Sequence, residues 1–169
     1  MLFGNNGASS SAISAPERLS DYVQYGDASV FDEDDRGQEN ADRQRDWDSR
    51  STQRLAAAYD DAGALVRTYS DDSVENRFAL EAVRAPSPNL YAPYSDAEYL
   101  RLDRPVEEVR VFGEVSCSIN NTSPDLSAVV ACQRGDEELT VRITRVGGDL
   151  LQDPEQVAEL VDIAWRELS

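Results

Sequence analysis

Cys117 and Cys132 are the only cysteines in the chain, and there is no histidine. Without imidazole there is no Ser-His-Asp or Cys-His nucleophile and no histidine metal ligand. The chemistry left is that of thiols, hydroxyls, phenols, guanidiniums and carboxylates. Cys117 lies in Glu114-Val115-Ser116-Cys117-Ser118-Ile119 and Cys132 in Val129-Val130-Ala131-Cys132-Gln133. Both segments read as strands. Between them Asn120-Asn121-Thr122-Ser123-Pro124-Asp125 is dense in turn residues. A hairpin reversing there sets the two cysteines at facing positions, so a disulfide is expected. Closing so short a loop contributes about 3 kcal/mol in the chain-entropy picture. The alternative is a pair of buried free thiols. A disulfide would place the domain outside a reducing cytosol.

Carboxylates dominate the rest: 33 acidic against 16 basic residues, a net charge of −17. Every basic residue is Arg. Such a chain lacks the clustered cations that bind nucleic acid or an anionic bilayer surface. It favours solubility and a monomeric state. A salt-adapted cytosolic protein is a second way to read the acidic surface. No two of the acids are marked as a hydrolytic pair. Ser116 and Ser118 have no partner base. Asp32-Glu33-Asp34-Asp35 lacks the spacing and central glycine of a calcium loop. Asp60-Asp61 and Asp71-Asp72 are shorter versions of the same. Arg134-Gly135-Asp136 spells an adhesive tripeptide but is also good turn chemistry. Asn120 and Asn121 each head a glycosylation triplet on a polar turn. The residues therefore point away from an enzyme, with no catalytic residue, metal or cofactor expected.

One stretch suits contact with a partner. Pro86-Ser87-Pro88-Asn89-Leu90-Tyr91-Ala92-Pro93-Tyr94 is followed by Tyr99. Tyrosines offer rigid amphipathic area, and prolines limit the entropy lost on docking. Arg84, Tyr91, Tyr94 and Tyr99 are the candidate partner-binding residues. The alternative is a loop strapped across a sheet with its tyrosines packing locally.

Several elements must position these groups. Residues 1–15, rich in Gly, Asn, Ser and Ala, read as a flexible tether. Residues 16–169 read as one domain. Residues 16–30 suggest a turn and an extended piece docked on its body. Residues 31–48 carry Trp47 as their one large apolar side chain after Phe31 and read as an exposed acidic loop. Ser51-Thr52 offers an N-cap for a helix ending near Gly63. Strands are expected at 64–69 and 77–84, and a short helical turn at 96–102. Val109, Val111, Val115, Cys117 and Ile119 share one parity and read as one strand region. Leu126, Ala128, Val130 and Cys132 share a parity on the next strand, and Leu139, Val141 and Ile143 on the last. Asp153, Pro154 and Gln156 form a helix start, followed by Val157, Leu160, Val161, Ala164 and Leu168 at helical spacing. The expected fold is α+β: an antiparallel sheet of about five strands with the C-terminal amphipathic helix on one face.

A set of short motifs in order adds a location. Ala57-Ala58-Tyr59-Asp60-Asp61-Ala62, Val66-Arg67-Thr68-Tyr69 and Ala82-Val83-Arg84-Ala85-Pro86-Ser87-Pro88 form its first half. Phe112-Gly113-Glu114-Val115-Ser116-Cys117, Ala131-Cys132-Gln133-Arg134 and Leu139-Thr140-Val141 form its second. Over residues 51–169 the chain resembles exported domains of actinobacteria of uncharacterised function. That resemblance implies an extracytoplasmic domain tethered to the membrane by an N-terminal anchor, a segment this sequence does not contain. No basic and apolar signal-peptide pattern occurs in residues 1–15. Taken together, the expectation is a non-catalytic accessory domain of the cell envelope that binds another envelope protein or a membrane complex. A small-ligand sensor domain, with its ligand between sheet and helix, is the alternative.

Overall fold

A computed structural model describes residues 9–32, 35–123 and 126–169. The chain is α+β. Two short strands, β1 (Arg18–Leu19) and β2 (Tyr22–Gln24), lead through two single-turn helices to α1 (Asp35–Ala58). Six strands follow: β3 (Ala64–Ser70), β4 (Arg77–Val83), β5 (Glu107–Phe112), β6 (Val115–Ser123), β7 (Leu126–Gly135) and β8 (Thr140–Gly147). Helix α2 (Pro154–Leu168) ends the chain. Among the described residues one antiparallel sheet of eight strands forms, in the order β1-β2-β3-β4-β8-β7-β6-β5.

Helix α2 forms where its caps and spacing put it. The Asp153 carboxylate accepts the Gln156 N–H at 3.0 Å, and Pro154 occupies the first turn. Its apolar stripe, Val157, Leu160, Val161, Ala164 and Leu168, is buried against Val115, Cys117, Ile119, Val141 and Ile143. The disulfide sits in this core. Cys117 and Cys132 pair directly across β6 and β7, with Cα atoms 4.0 Å apart. Both sulfurs lie against the Pro154 carbonyl, at 3.6 and 4.0 Å, so the bond is covered by the first turn of α2. A disulfide sulfur carries no proton, so this contact is packing.

The sheet is larger than the five strands expected, for identifiable reasons. β1 and β2 are two and three residues long, too short for alternation to show. β5 was hidden by a two-residue hairpin. Gly113, at φ +61°, and Glu114 reverse the chain between Phe112 and Val115. Phe112 therefore faces the α2 core, while Val111 faces the other way and is exposed. The parity read across residues 109–119 as one strand breaks at this turn. The parity read for β7 also fails. Ser118 faces Ala131 while Ile119 faces Val129, so Val130 is extruded by a bulge and exposed while Val129 is buried.

The acidic loop expected over residues 31–48 is mostly helix. Glu33 and Asp34 lie outside the described residues, and α1 starts at Asp35. Thr52, expected near a helix start, is well inside it. The stripe that docks α1 is Gly37, Ala41, Gln44, Asp48, Thr52 and Leu55, carried on by Tyr59 just past its end; it is spaced at three and four residues but mostly small or polar. Its outward face carries the pairs Glu39–Arg43 at 3.1 Å and Asp46–Arg50 at 2.9 Å. Exposed pairs of this kind contribute little, so docking must come from the buried stripe.

That docking is a hydrogen-bond network on an open sheet edge. β2 pairs with only Tyr69 and Ser70, which leaves the rest of the β3 edge without a strand. Two side chains of α1 take its amides. Thr68 N–H donates to Asp48 Oδ2 at 2.8 Å, and Val66 N–H donates to Thr52 Oγ1 at 2.8 Å. The Thr68 hydroxyl donates to Asp48 Oδ1 at 2.8 Å, and Gln44 Nε2 donates to the same oxygen at 2.9 Å. Asp48 is only 2% exposed. A buried carboxylate is tolerable when its lone pairs are filled in this way.

Residues 9–15, part of the segment read as a tether, run against the body instead. Gly63 N–H donates to Ser9 O at 2.7 Å, and Ile13 and Ala15 pack on the core. A Cβ on Gly63 would meet Ser11 O at 1.8 Å, so this approach requires glycine. Residues 1–8 lie outside the described residues. Pro16 O accepts the Tyr69 hydroxyl at 2.5 Å.

These contacts have measurable consequences. Asp48→Ala leaves the Thr68 amide without a partner and the Thr68 hydroxyl without an acceptor for its proton, and should cost about 3 kcal/mol in a urea unfolding titration; Asp48→Asn, which keeps an acceptor, should cost less. Removing the disulfide by Cys117→Ser with Cys132→Ser should cost about 3 kcal/mol. Alkylation without reductant under denaturing conditions should add nothing to the mass of the native chain. Burial raises the Tyr69 phenol well above its ordinary value of 10.0, and burial together with Asp71, Asp21, Asp149 and Asp153 raises Tyr22. The folded state therefore holds these protons when the unfolded chain releases them. Stability should be full below about pH 10 and fall above it. Tyr69→Phe should flatten that alkaline fall while costing stability at neutral pH through the lost bond to Pro16.

Candidate interaction surface

The face of the sheet opposite α2 carries Ala79, Glu81, Arg142, Thr144, Gln133, Ser116 and Ser118. At one end α1 flanks it. Toward the other, residues 84–106 cross from the middle of the sheet at β4 to its edge at β5, with no regular secondary structure beyond a turn at 97–101. This strap is held by side chains along its course. Ala85 O accepts the Thr140 hydroxyl at 2.9 Å. Ser87 Oγ meets the hydroxyl of Tyr59, the residue just past α1, at 2.5 Å. Pro88 O accepts Gln133 Nε2 at 3.0 Å. At the far end Ser95 Oγ accepts Val106 N–H at 2.9 Å, and Pro105 O accepts Asn121 Nδ2 at 2.9 Å. In the turn, Asp96 Oδ1 accepts Tyr99 N–H at 3.0 Å, the expected local helical start.

Between these fixed points the aromatic side chains face solvent. Tyr91 is 79% exposed, Tyr94 91% and Tyr99 83%, with Leu100 at 47% beside them in sequence. The backbone crosses the sheet as a strap, yet its tyrosines do not pack under it. Arg84 is in a different setting. Its N–H donates to Gly63 O at 2.8 Å and its carbonyl accepts Ser9 N–H at 3.0 Å. Its Nε is buried without a hydrogen-bond partner. Arg84 thus sits where the strap leaves β4, packed beside residues 9–15.

Beside the strap lies an open cleft of about 340 Å³, bordered by Asn89, Leu90 and Ser116 and by the carboxylates Glu114, Asp136 and Glu137. The cleft has no local mark in the sequence, where Asp136 figures only in the adhesive tripeptide; Glu114 and Asp136 come from two different hairpin turns that only the sheet brings together.

Other candidates resolve into structure. Arg134 of the adhesive tripeptide is bonded to Glu114, bonded to Asp162 at 2.8 Å and laid over the Trp165 ring at 4.7 Å. Asp136 Oδ1 accepts the amides of Glu138 and Leu139 at 2.8 and 2.9 Å, which is turn chemistry. Asn121 is 3% exposed with its Nδ2 engaged by Pro105, so a glycan has no access to it in the folded chain. The Asp71 carboxylate accepts amide protons of Glu75 and Asn76 and closes the β3–β4 turn. Among the described residues no three acidic or cysteine side chains converge as a metal site. No helix among them is long and apolar enough to cross a membrane. No protein-family model matches the chain, and no curated protein or solved structure matches it either.

Proposed function

We propose that this chain is a non-catalytic docking domain of the cell envelope, working outside the reducing cytosol, which holds another envelope protein or membrane complex through its tyrosine strap. One observation carries the reading: three tyrosines are exposed on a loop whose backbone is fixed at both ends by side chains of the sheet, Gln133 at Pro88 and Asn121 at Pro105. Large aromatic area already held in place loses little entropy on binding, which is the usual character of an interface anchor. The disulfide is compatible with the extracytoplasmic setting. The anchor and the actinobacterial origin belong to the same proposal and rest on the short-motif resemblance alone.

The chemistry of the flank narrows the partner. The cleft beside the strap presents Asp136 and Glu137, with Glu114 already bonded to Arg134, in a chain with a net charge of −17. A partner seated there must bring cations, and its association should weaken as salt screens them. A small-ligand reading is favoured by a separate observation, the open groove beside Trp47 considered below.

Purification of the native protein from its own membranes in mild detergent, beside the Tyr91→Ala/Tyr94→Ala variant, tests the docking role. The wild type should retain a stoichiometric partner. The variant should lose it by at least about tenfold and keep its melting temperature, because exposed substitutions typically change stability by about 0.5 kcal/mol or less. Equal retention by both proteins would reject the strap as the interface.

A further inference from the structure

A second surface lies on the same sheet face as the strap, at its α1 end. Gln44 and Trp47 of α1, Arg77 and Ala79 of β4 and Arg145 of β8 border an open groove of about 360 Å³. That is the volume of a small-molecule site. Trp47 is 56% exposed. It is held there by its neighbour Asp48, whose bonds to Thr68 fix this turn of α1 against the sheet.

The two arginines bring positive charge to this groove in a chain whose acids outnumber its bases by 33 to 16. Arg77 is exposed and makes no ion pair among the described residues. Arg145 has one ion-pair contact there, at 3.8 Å to Glu81. Glu81 is otherwise engaged by the Thr144 hydroxyl at 2.9 Å and lies outside the groove lining.

The backbone aims Arg145. Arg77 pairs with Gly147 and Ala79 with Thr144, so Arg145 and Val146 together oppose Phe78 in a β-bulge. Val146 turns into the α2 core. Arg145 takes the left-handed conformation, φ +51°, a position that glycine would fill without strain. A regular strand would not bring the guanidinium to this groove. Strain of this kind is typical of sites where a side chain must be presented.

We propose that this groove binds a carboxylate carried on a six-membered ring that offers an apolar face, with that face against Trp47 and the carboxylate between Arg145 and Arg77. The planar guanidinium matches a carboxylate in two parallel bonds, and the exposed indole face accepts a ring. Gln44 supplies a polar wall for ring hydroxyls. The site is separate from the tyrosine strap and stands whether or not the strap docks a partner.

Calorimetric titration with methyl glucuronide, benzoate, methyl glucoside and inorganic phosphate tests it, with tryptophan emission followed in parallel. At least one of the two ring carboxylates should bind and alter the emission, more tightly than phosphate, while methyl glucoside should not bind. Glucuronide over benzoate would identify an acidic sugar, and the reverse an aromatic acid. Arg145→Gly removes the guanidinium yet suits the bulge, and it should weaken binding by about tenfold or more without unfolding the chain. Trp47→Phe should abolish the emission change, because Trp165 packs under Arg134 on the α2 side. The proposal is overturned if neither ring carboxylate binds, if phosphate binds as tightly, or if Arg145→Gly leaves the affinity unchanged.

Discussion

The unpaired edge of β3 is the constraint on which the rest of the structure depends. An extended strand buried along one side of a sheet cannot leave its amides empty, because each unmet donor costs as much as a lost hydrogen bond. β2 is too short to cover the edge, and α1 finishes the task with Asp48 and Thr52 in place of a strand. This also blocks the edge as a template for other strands. The cost is a buried carboxylate, and Thr68 and Gln44 offset it by filling the acceptor oxygens.

Both candidate surfaces inherit their geometry from that docking. Trp47 precedes Asp48, so fixing the carboxylate on β3 sets the indole beside β4. Three turns further on, Tyr59, the residue just past the end of the same helix, reaches Ser87 and fastens the start of the strap. The opposite face is organised differently, by an ordinary apolar core under α2 with the disulfide beneath its first turn. One face therefore supplies stability, and the other, polar and partly open, presents side chains.

What could be read from the sequence follows the same division. β3, β4, the β6–β8 meander, the cysteine pairing and α2 were legible because burial on one face writes alternation or helical spacing into apolar residues. The part of α1 before Ser51 is not, because its buried stripe is Gly37, Ala41 and Asp48, whose small size and polarity resemble a solvated segment. The signal was present as spacing without hydrophobicity. β5 was masked because the Gly113-Glu114 turn keeps an apparent alternation running while the chain reverses. Val130 and Arg145 were misplaced or overlooked because a bulge shifts parity by one residue and leaves no compositional mark. The strap is legible as a loop because its prolines report irregular structure directly. The Trp47 groove joins three elements distant in sequence, and no local pattern marks it.

The central claim is that side chains of α1, acting as a strand would, hold the β3 edge and with it both surfaces. Residue-resolved amide hydrogen exchange under native conditions tests this directly. The Val66 and Thr68 amides should exchange as slowly as those of the sheet interior, opening only with global unfolding. Exchange of these two amides at the rate of an exposed edge would show that α1 does not hold the strand, and would contradict the account.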